Sequence, residues 1–146
     1  TASKTAAVAA LIRVLFMAFA IVKIYWLPVL ILLSTLSMIG GNLMAIRQTN
    51  VKRLLAYSSI AQAGYMLIGI IAADAAGIKG VLFYTLIYII ANIGAFSVLI
   101  AVDKNYGEAE FSTIAGLGQR APLLAAVLTI SLLSMAGIPP MAGFVG

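Results

Sequence analysis

The sequence predicts an all-α, multi-pass transmembrane helix bundle of about five spans, the last of them discontinuous. Three observations carry that prediction. Hydrophobic residues make up 64% of the 146 and charged residues only 9%, with a mean hydropathy of +1.15. A soluble domain carries about 25% charged residues because water must solvate its outside. Nine basic and four acidic side chains therefore leave most of this surface to lipid. The apolar residues also fall into runs of about 20, the length that crosses roughly 30 Å of hydrocarbon. The third observation is negative: the alternating segments of about ten residues that mark membrane barrels do not occur. A soluble enzyme, a nucleic-acid binder and a disordered linker are all excluded. The basic excess reads as loop charge that sets orientation. With no Cys and no His, disulfides, thiol chemistry, iron–sulfur ligation and the usual zinc and haem ligands drop out.

The elements follow in order. A first span is expected over residues 1–22, closed by Lys23, Tyr25 and Trp26, the cationic and aromatic mixture of a membrane–water boundary. Pro28 then falls in the first turn of a second span, 27–46, where its missing N–H costs nothing. Arg47 ends that span, and Thr49 or Asn50 can cap the next helix by accepting a free backbone N–H. The third span covers 54–73, and the polar stretch 74–80, with Gly77 and Gly80, reads as a turn. The fourth span covers 81–102. Three of the four acidic residues lie in 103–120, expected as a loop or surface-lying segment. Gly116-Leu117-Gly118 within it is a turn, since no strand precedes it to make a dinucleotide loop.

Pro122 opens a fifth helix, 122–146. Its first stretch, to Ala136, covers only about 22 Å at 1.5 Å per residue, too short to cross. Gly137, Pro139 and Pro140 then break it. The whole, 1–146, reads as one membrane domain. Thr1 is no initiator residue and the chain stops inside an apolar stretch, so an internal piece of a longer membrane protein is expected. A signal peptide ending near Ala20 is opposed by Arg13 in the middle of its apolar run. Arg47, Lys52, Arg53, Lys104 and Arg120 share one side of the membrane, against Lys23 and Lys79 on the other. That imbalance assigns loops 47–53 and 103–120 to the cytoplasm or its equivalent.

Few residues can carry chemistry. Lys4 lies about 28 Å of helix from the boundary at Lys23. It either snorkels to the opposite interface or sits inside the membrane among Ser3, Thr5 and small alanines. There a lysine costs about 2.5–3.5 kcal/mol to insert and marks a functional site, because an ammonium taken out of water is easier to deprotonate. Polar stripes recur at helical spacing: Ser58, Gln62 and Tyr65 in the third span; Tyr84, Tyr88 and Asn92 in the fourth; Ser34, Met38 and Asn42 in the second. Hydroxyls and amides in hydrocarbon must find partners, so each stripe faces protein or water. Interhelical hydrogen bonding explains them, with Gly40, Gly41, Gly64, Ala91 and Ala95 allowing close approach; a hydrated proton wire is the other reading. The break at Gly137, Pro139 and Pro140 is open in the same way, between a simple kink and a helix end placed at an ion site.

The run Gly41-Asn42-Leu43-Met44-Ala45-Ile46-Arg47-Gln48-Thr49-Asn50-Val51-Lys52-Arg53-Leu54-Leu55-Ala56-Tyr57-Ser58-Ser59-Ile60 resembles the antiporter-like membrane subunits of proton-translocating NADH–quinone oxidoreductase (respiratory complex I), in the subunit N version. The opening Thr1-Ala2-Ser3-Lys4 and the stretch Gly137-Ile138-Pro139-Pro140-Met141-Ala142-Gly143-Phe144-Val145-Gly146 resemble the same family at matching spacing. Cation/proton antiporter subunits share part of the pattern and stay as an alternative, as does a non-transporting membrane anchor.

The resemblance implies roughly helices eight to twelve of a fourteen-helix subunit. It implies proton translocation coupled to NADH-to-quinone electron transfer by other subunits, in a bacterial inner membrane. Lys4 matches a lysine in the family's mid-membrane row of ionisable groups, and the 137–140 break matches the discontinuous twelfth helix. Another key lysine of the family follows one position beyond Gly146. Gln62 stands where many members carry His. The resemblance makes the enzyme role that of a subunit without a redox site of its own. NADH, FMN, iron–sulfur clusters and quinone belong to the rest of the complex, and the partners are neighbouring antiporter-like subunits and the lipid bilayer.

Overall fold

The computed structural model describes residues 2–72 and 74–144, so the outer ends of the first, third and fifth predicted spans, at Thr1, Ala73, Val145 and Gly146, lie outside the described residues. The chain is a multi-pass membrane helix bundle, and no β-strand occurs among the described residues. Its order is α1 (Ala2–Arg13), a π-helical turn (Val14–Ala18), a 3-10 turn (Ala20–Val22), α2 (Lys23–Ile46), α3 (Val51–Ala72), α4 (Ala75–Tyr106), short α5 (Phe111–Ile114) and α6 (Leu117–Arg120), α7 (Pro122–Met135) and a last 3-10 turn (Ala142–Phe144). Three stretches are long and apolar enough to cross a membrane: Ala20–Ile46, α3 and α4. The α7 helix, 14 residues long, is shorter.

Three boundaries differ from expectation, each for a local reason. The first span is not one α-helix ending at Lys23. The chain bends at Phe19, and Lys23 to Trp26 already form the first turn of α2. The Trp26 indole donates to the Phe19 carbonyl at 3.0 Å and its ring meets Phe16 edge-on, so the aromatic cluster staples the bend. Pro28 is consequently inside α2, where it removes the N–H that would reach the Ile24 carbonyl. The stretch 74–80 is helix rather than turn: Asp74 accepts from the Gly77 N–H at 2.6 Å and caps α4. At its other end α4 continues to Tyr106, so the expected fourth span grows to 32 residues.

The packing order places α3 between α2 and α4, with α7 laid against α4. Close approach of α2 and α3 depends on glycine. A Cβ on Gly41 would stand 2.6 Å from the Ala61 nitrogen, and one on Gly64 would stand 2.9 Å from the Ser34 carbonyl. Gly40 has open space around it and makes no such contact. Two apolar clusters hold the bundle. One joins Val51 and Leu55 to Ala95, Leu99 and Val102 near the loop end, and the other joins Met66 and Ile70 to Leu15, Leu30 and Val81.

The loops at 47–53 and 103–120 form one structured cap. Asn50 accepts from the Lys52 and Arg53 N–H groups at 3.0 and 3.4 Å, capping α3. The Val51 N–H donates to the Ala109 carbonyl at 2.9 Å, and Lys52 pairs with Asp103.

Candidate functional site

The site is built on α3, whose Ser59 and Gln62 stand three residues apart and are neighbours on the helix surface. Each is the centre of a separate cleft. Lys4, in the first turn of α1, reaches across to the middle of α3. Its Nζ donates to the Ser59 carbonyl at 2.9 Å and to the Ser59 hydroxyl at 2.7 Å. Ser59 is about 12 Å from the start of α3 at 1.5 Å per residue, well inside a 22-residue helix. Tyr88 of α4 faces the same cleft. The cleft around them measures about 400 Å³ and is also lined by Leu55, Asn92, Ile93 and Phe96. No carboxylate lines it, and Tyr88 is its other titratable group. Among the described residues Lys4 is thus held by the neutral oxygens of Ser59.

The second cleft, about 390 Å³, lies where α7 stops. Its break is made at Gly137, whose φ of 68° is a left-handed conformation that a side chain would strain. A helix end leaves carbonyls without intrahelical partners. The carbonyl of Met135 accepts from Gln62 Nε2 at 3.3 Å, and at the other end of the amide Oε1 accepts from the Tyr84 hydroxyl. Gln62 is only 6% exposed, so both bonds satisfy groups that water cannot reach. Because a carbonyl can only accept, this contact sets which way round the amide lies. Ser58, Tyr65 and Asn42 line the same cleft, with the Asn42 amide donating to the Tyr65 hydroxyl at 3.3 Å.

The structure therefore sorts the predicted residues into two groups. Lys4, Tyr88 and Asn92 share the first cleft, while Ser58, Gln62, Tyr65, Tyr84 and Gly137 share the second. Tyr84 and Tyr88 are one turn apart on α4, as are Ser59 and Gln62 on α3, so the groups are adjacent storeys of one α3–α4 interface. Pro139 and Pro140 are exposed and line neither cleft. Two participants escaped the sequence reading. Ser59 lies beside Ser58, and the four-residue spacing to Gln62 selected Ser58 instead; the doubled serine was the only signal. The Met135 carbonyl is a backbone group and has no signature in a sequence.

All of residues 1–146 match the family described as "NADH:quinone oxidoreductase/Mrp antiporter, TM". The chain is 59% identical over 121 residues to NADH-quinone oxidoreductase subunit N of Heliobacterium modesticaldum, covering 83% of this chain and 26% of that relative. It is 52% identical over 145 residues to NADH-quinone oxidoreductase subunit N of Moorella thermoacetica, covering 99% of this chain and 30% of the relative. NAD(P)H-quinone oxidoreductase subunit 2 of Rippkaea orientalis is 48% identical over 144 residues, covering 99% of this chain and 28% of the relative. The chain thus spans less than a third of the length of these curated relatives. With the family pattern matched from first residue to last, and more than half of the residues shared with a relative along nearly the whole chain, this chain belongs to the NADH:quinone oxidoreductase/Mrp antiporter transmembrane family.

Proposed function

We propose that this chain is the part of a proton-translocating membrane subunit of NADH–quinone oxidoreductase that contains one proton-exchanging lysine, Lys4, and the polar interface leading from it toward a helix break. The observation that carries the proposal is the docking of the Lys4 ammonium on Ser59, midway along a spanning helix. A lysine inside a membrane bundle is costly and marks an ion or proton path, and this one ends on hydroxyl and carbonyl oxygens instead of reaching an interface. Cyclic loss and gain of a Lys4 proton moves charge between the Lys4 cleft and the Gln62 cleft, with water and the Tyr88 and Tyr84 hydroxyls completing the route. Electron transfer from NADH to quinone belongs to other subunits of the complex.

The orientation places the joined loops 47–53 and 103–120 on the cytoplasmic side, following their excess of Lys and Arg, in a bacterial plasma membrane like that of the bacterial relatives. Neighbouring antiporter-like subunits are the partners. A second reading, a cation/proton antiporter subunit, is supported by the family description, which covers both kinds of protein. The deciding experiment reconstitutes the full-length subunit, in its complex, into vesicles. Lys4→Ala abolishes most NADH-driven proton flux while the complex still assembles; wild-type flux in that variant overturns the proposal. Sodium-dependent transport without NADH oxidation selects the antiporter reading.

A further inference from the structure

We propose that Ser59 is a positioning residue that selects which Lys4 proton is exchanged; the inference rests on the reading of Lys4 as a proton-exchanging group. An ammonium has three N–H donors and no acceptor. Two of the three are committed to Ser59, one to its carbonyl at 2.9 Å and one to its hydroxyl at 2.7 Å. The hydroxyl's own O–H is directed to the Ala56 carbonyl at 2.6 Å. Both Ser59 oxygens therefore act as acceptors toward Lys4, and the third N–H is left to the cleft that Tyr88 and Asn92 border.

The exchange step balances simply. The third N–H bond breaks, its proton passes to a water molecule in the cleft, and the bonding pair stays on Nζ as a lone pair. The neutral amine keeps two N–H groups, the number Ser59 requires, so deprotonation disturbs neither bond. Reprotonation returns a proton to the same lone pair from the same side. A lysine held by one acceptor would rotate about its last bond and offer any of its protons. Two acceptors on one residue stop that rotation.

The test compares Ser59→Thr with Ser59→Val in the full-length subunit within the assembled complex. The two side chains have nearly the same shape and differ in the hydroxyl. Ser59→Thr keeps NADH-driven proton flux within twofold of the wild type. Ser59→Val lowers it about tenfold, the factor appropriate to one lost hydrogen bond to a charged group, while NADH oxidation in uncoupled vesicles and complex assembly persist. Equal flux in the two variants overturns the inference, whether both are active or both impaired. Lys4→Ala, measured beside them, separates the two levels of the argument. Full flux in Lys4→Ala removes the underlying reading, whereas lost flux in Lys4→Ala with full flux in Ser59→Val removes only the role of Ser59.

Discussion

The two clefts on α3 are one helical turn apart and similar in size, yet their central side chains are held in different ways. In the Lys4 cleft a charged, flexible side chain rests on oxygens of one serine and keeps a third N–H beyond those two bonds. In the Gln62 cleft every polar atom of the central side chain answers a fixed partner: a backbone carbonyl on one side and a tyrosine hydroxyl on the other. An amide does not titrate, and this one cannot turn over without leaving the Met135 carbonyl unpaired. The first cleft is a place where a proton can change hands. The second is a brace that holds the broken end of α7 against α3 and α4. The lesson is that polar residues inside a membrane bundle divide by whether their hydrogen bonds can be rearranged, not by polarity itself.

The largest test of the contrast is Lys4→Met. It removes the exchanging group but fills the same space with an unbranched apolar chain, so proton flux collapses by more than tenfold while the thermal stability of the complex is little changed. Gln62→Leu gives the mirror image. It buries an unpaired carbonyl and an unpaired hydroxyl, at about 1–3 kcal/mol for each group stranded, and the destabilisation is read by thermal inactivation or denaturant titration. Gln62→His, which retains one donor and one acceptor, recovers most of that loss. If Gln62→Leu instead keeps full stability, Gln62 is not a brace. Gly64→Ala sharpens the comparison from the far face of α3. Its added Cβ meets the Ser34 carbonyl at 2.9 Å and Met38 at 2.8 Å, an overpacking of about 1–3 kcal/mol. Its effect on stability exceeds its effect on flux if α3 moves as a rigid spine. Smallest is Lys52→Ala, which breaks a partly exposed ion pair with Asp103 worth under about 1 kcal/mol. Asp103→Ala costs more than Lys52→Ala in the same unfolding assay, because Asp103 also accepts from the Ala109 N–H at 2.8 Å.

How much of this was legible beforehand depends on the range of each interaction. Asn50 was readable as a cap and Pro122 as a helix start, because both act on backbone groups within a few residues. Composition at Lys23, Tyr25 and Trp26 gave no sign of the bend at Phe19, because the Trp26 bond that staples it reaches back seven residues across a break in the helix. The polar stripe of α3 was visible as periodicity, but its division between two clefts was not. Ser58 and Ser59 are chemically identical and differ by about 100° around the helix, and which one faces Lys4 depends on where α1 lies.

The solvent, the helical class, the scarcity of titratable groups and the one lysine worth suspecting follow from composition and from spacing along one helix, and so are written in the residues themselves. Only the tertiary structure decided that Lys4 ends on Ser59, 55 residues away, and that Gln62 closes the end of α7, 73 residues away. Hydrogen bonds of such range depend on the relative placement of whole helices. That placement is set by close approaches such as Gly41 on Ala61 and Gly64 on Ser34, and by a backbone carbonyl that no residue letter records.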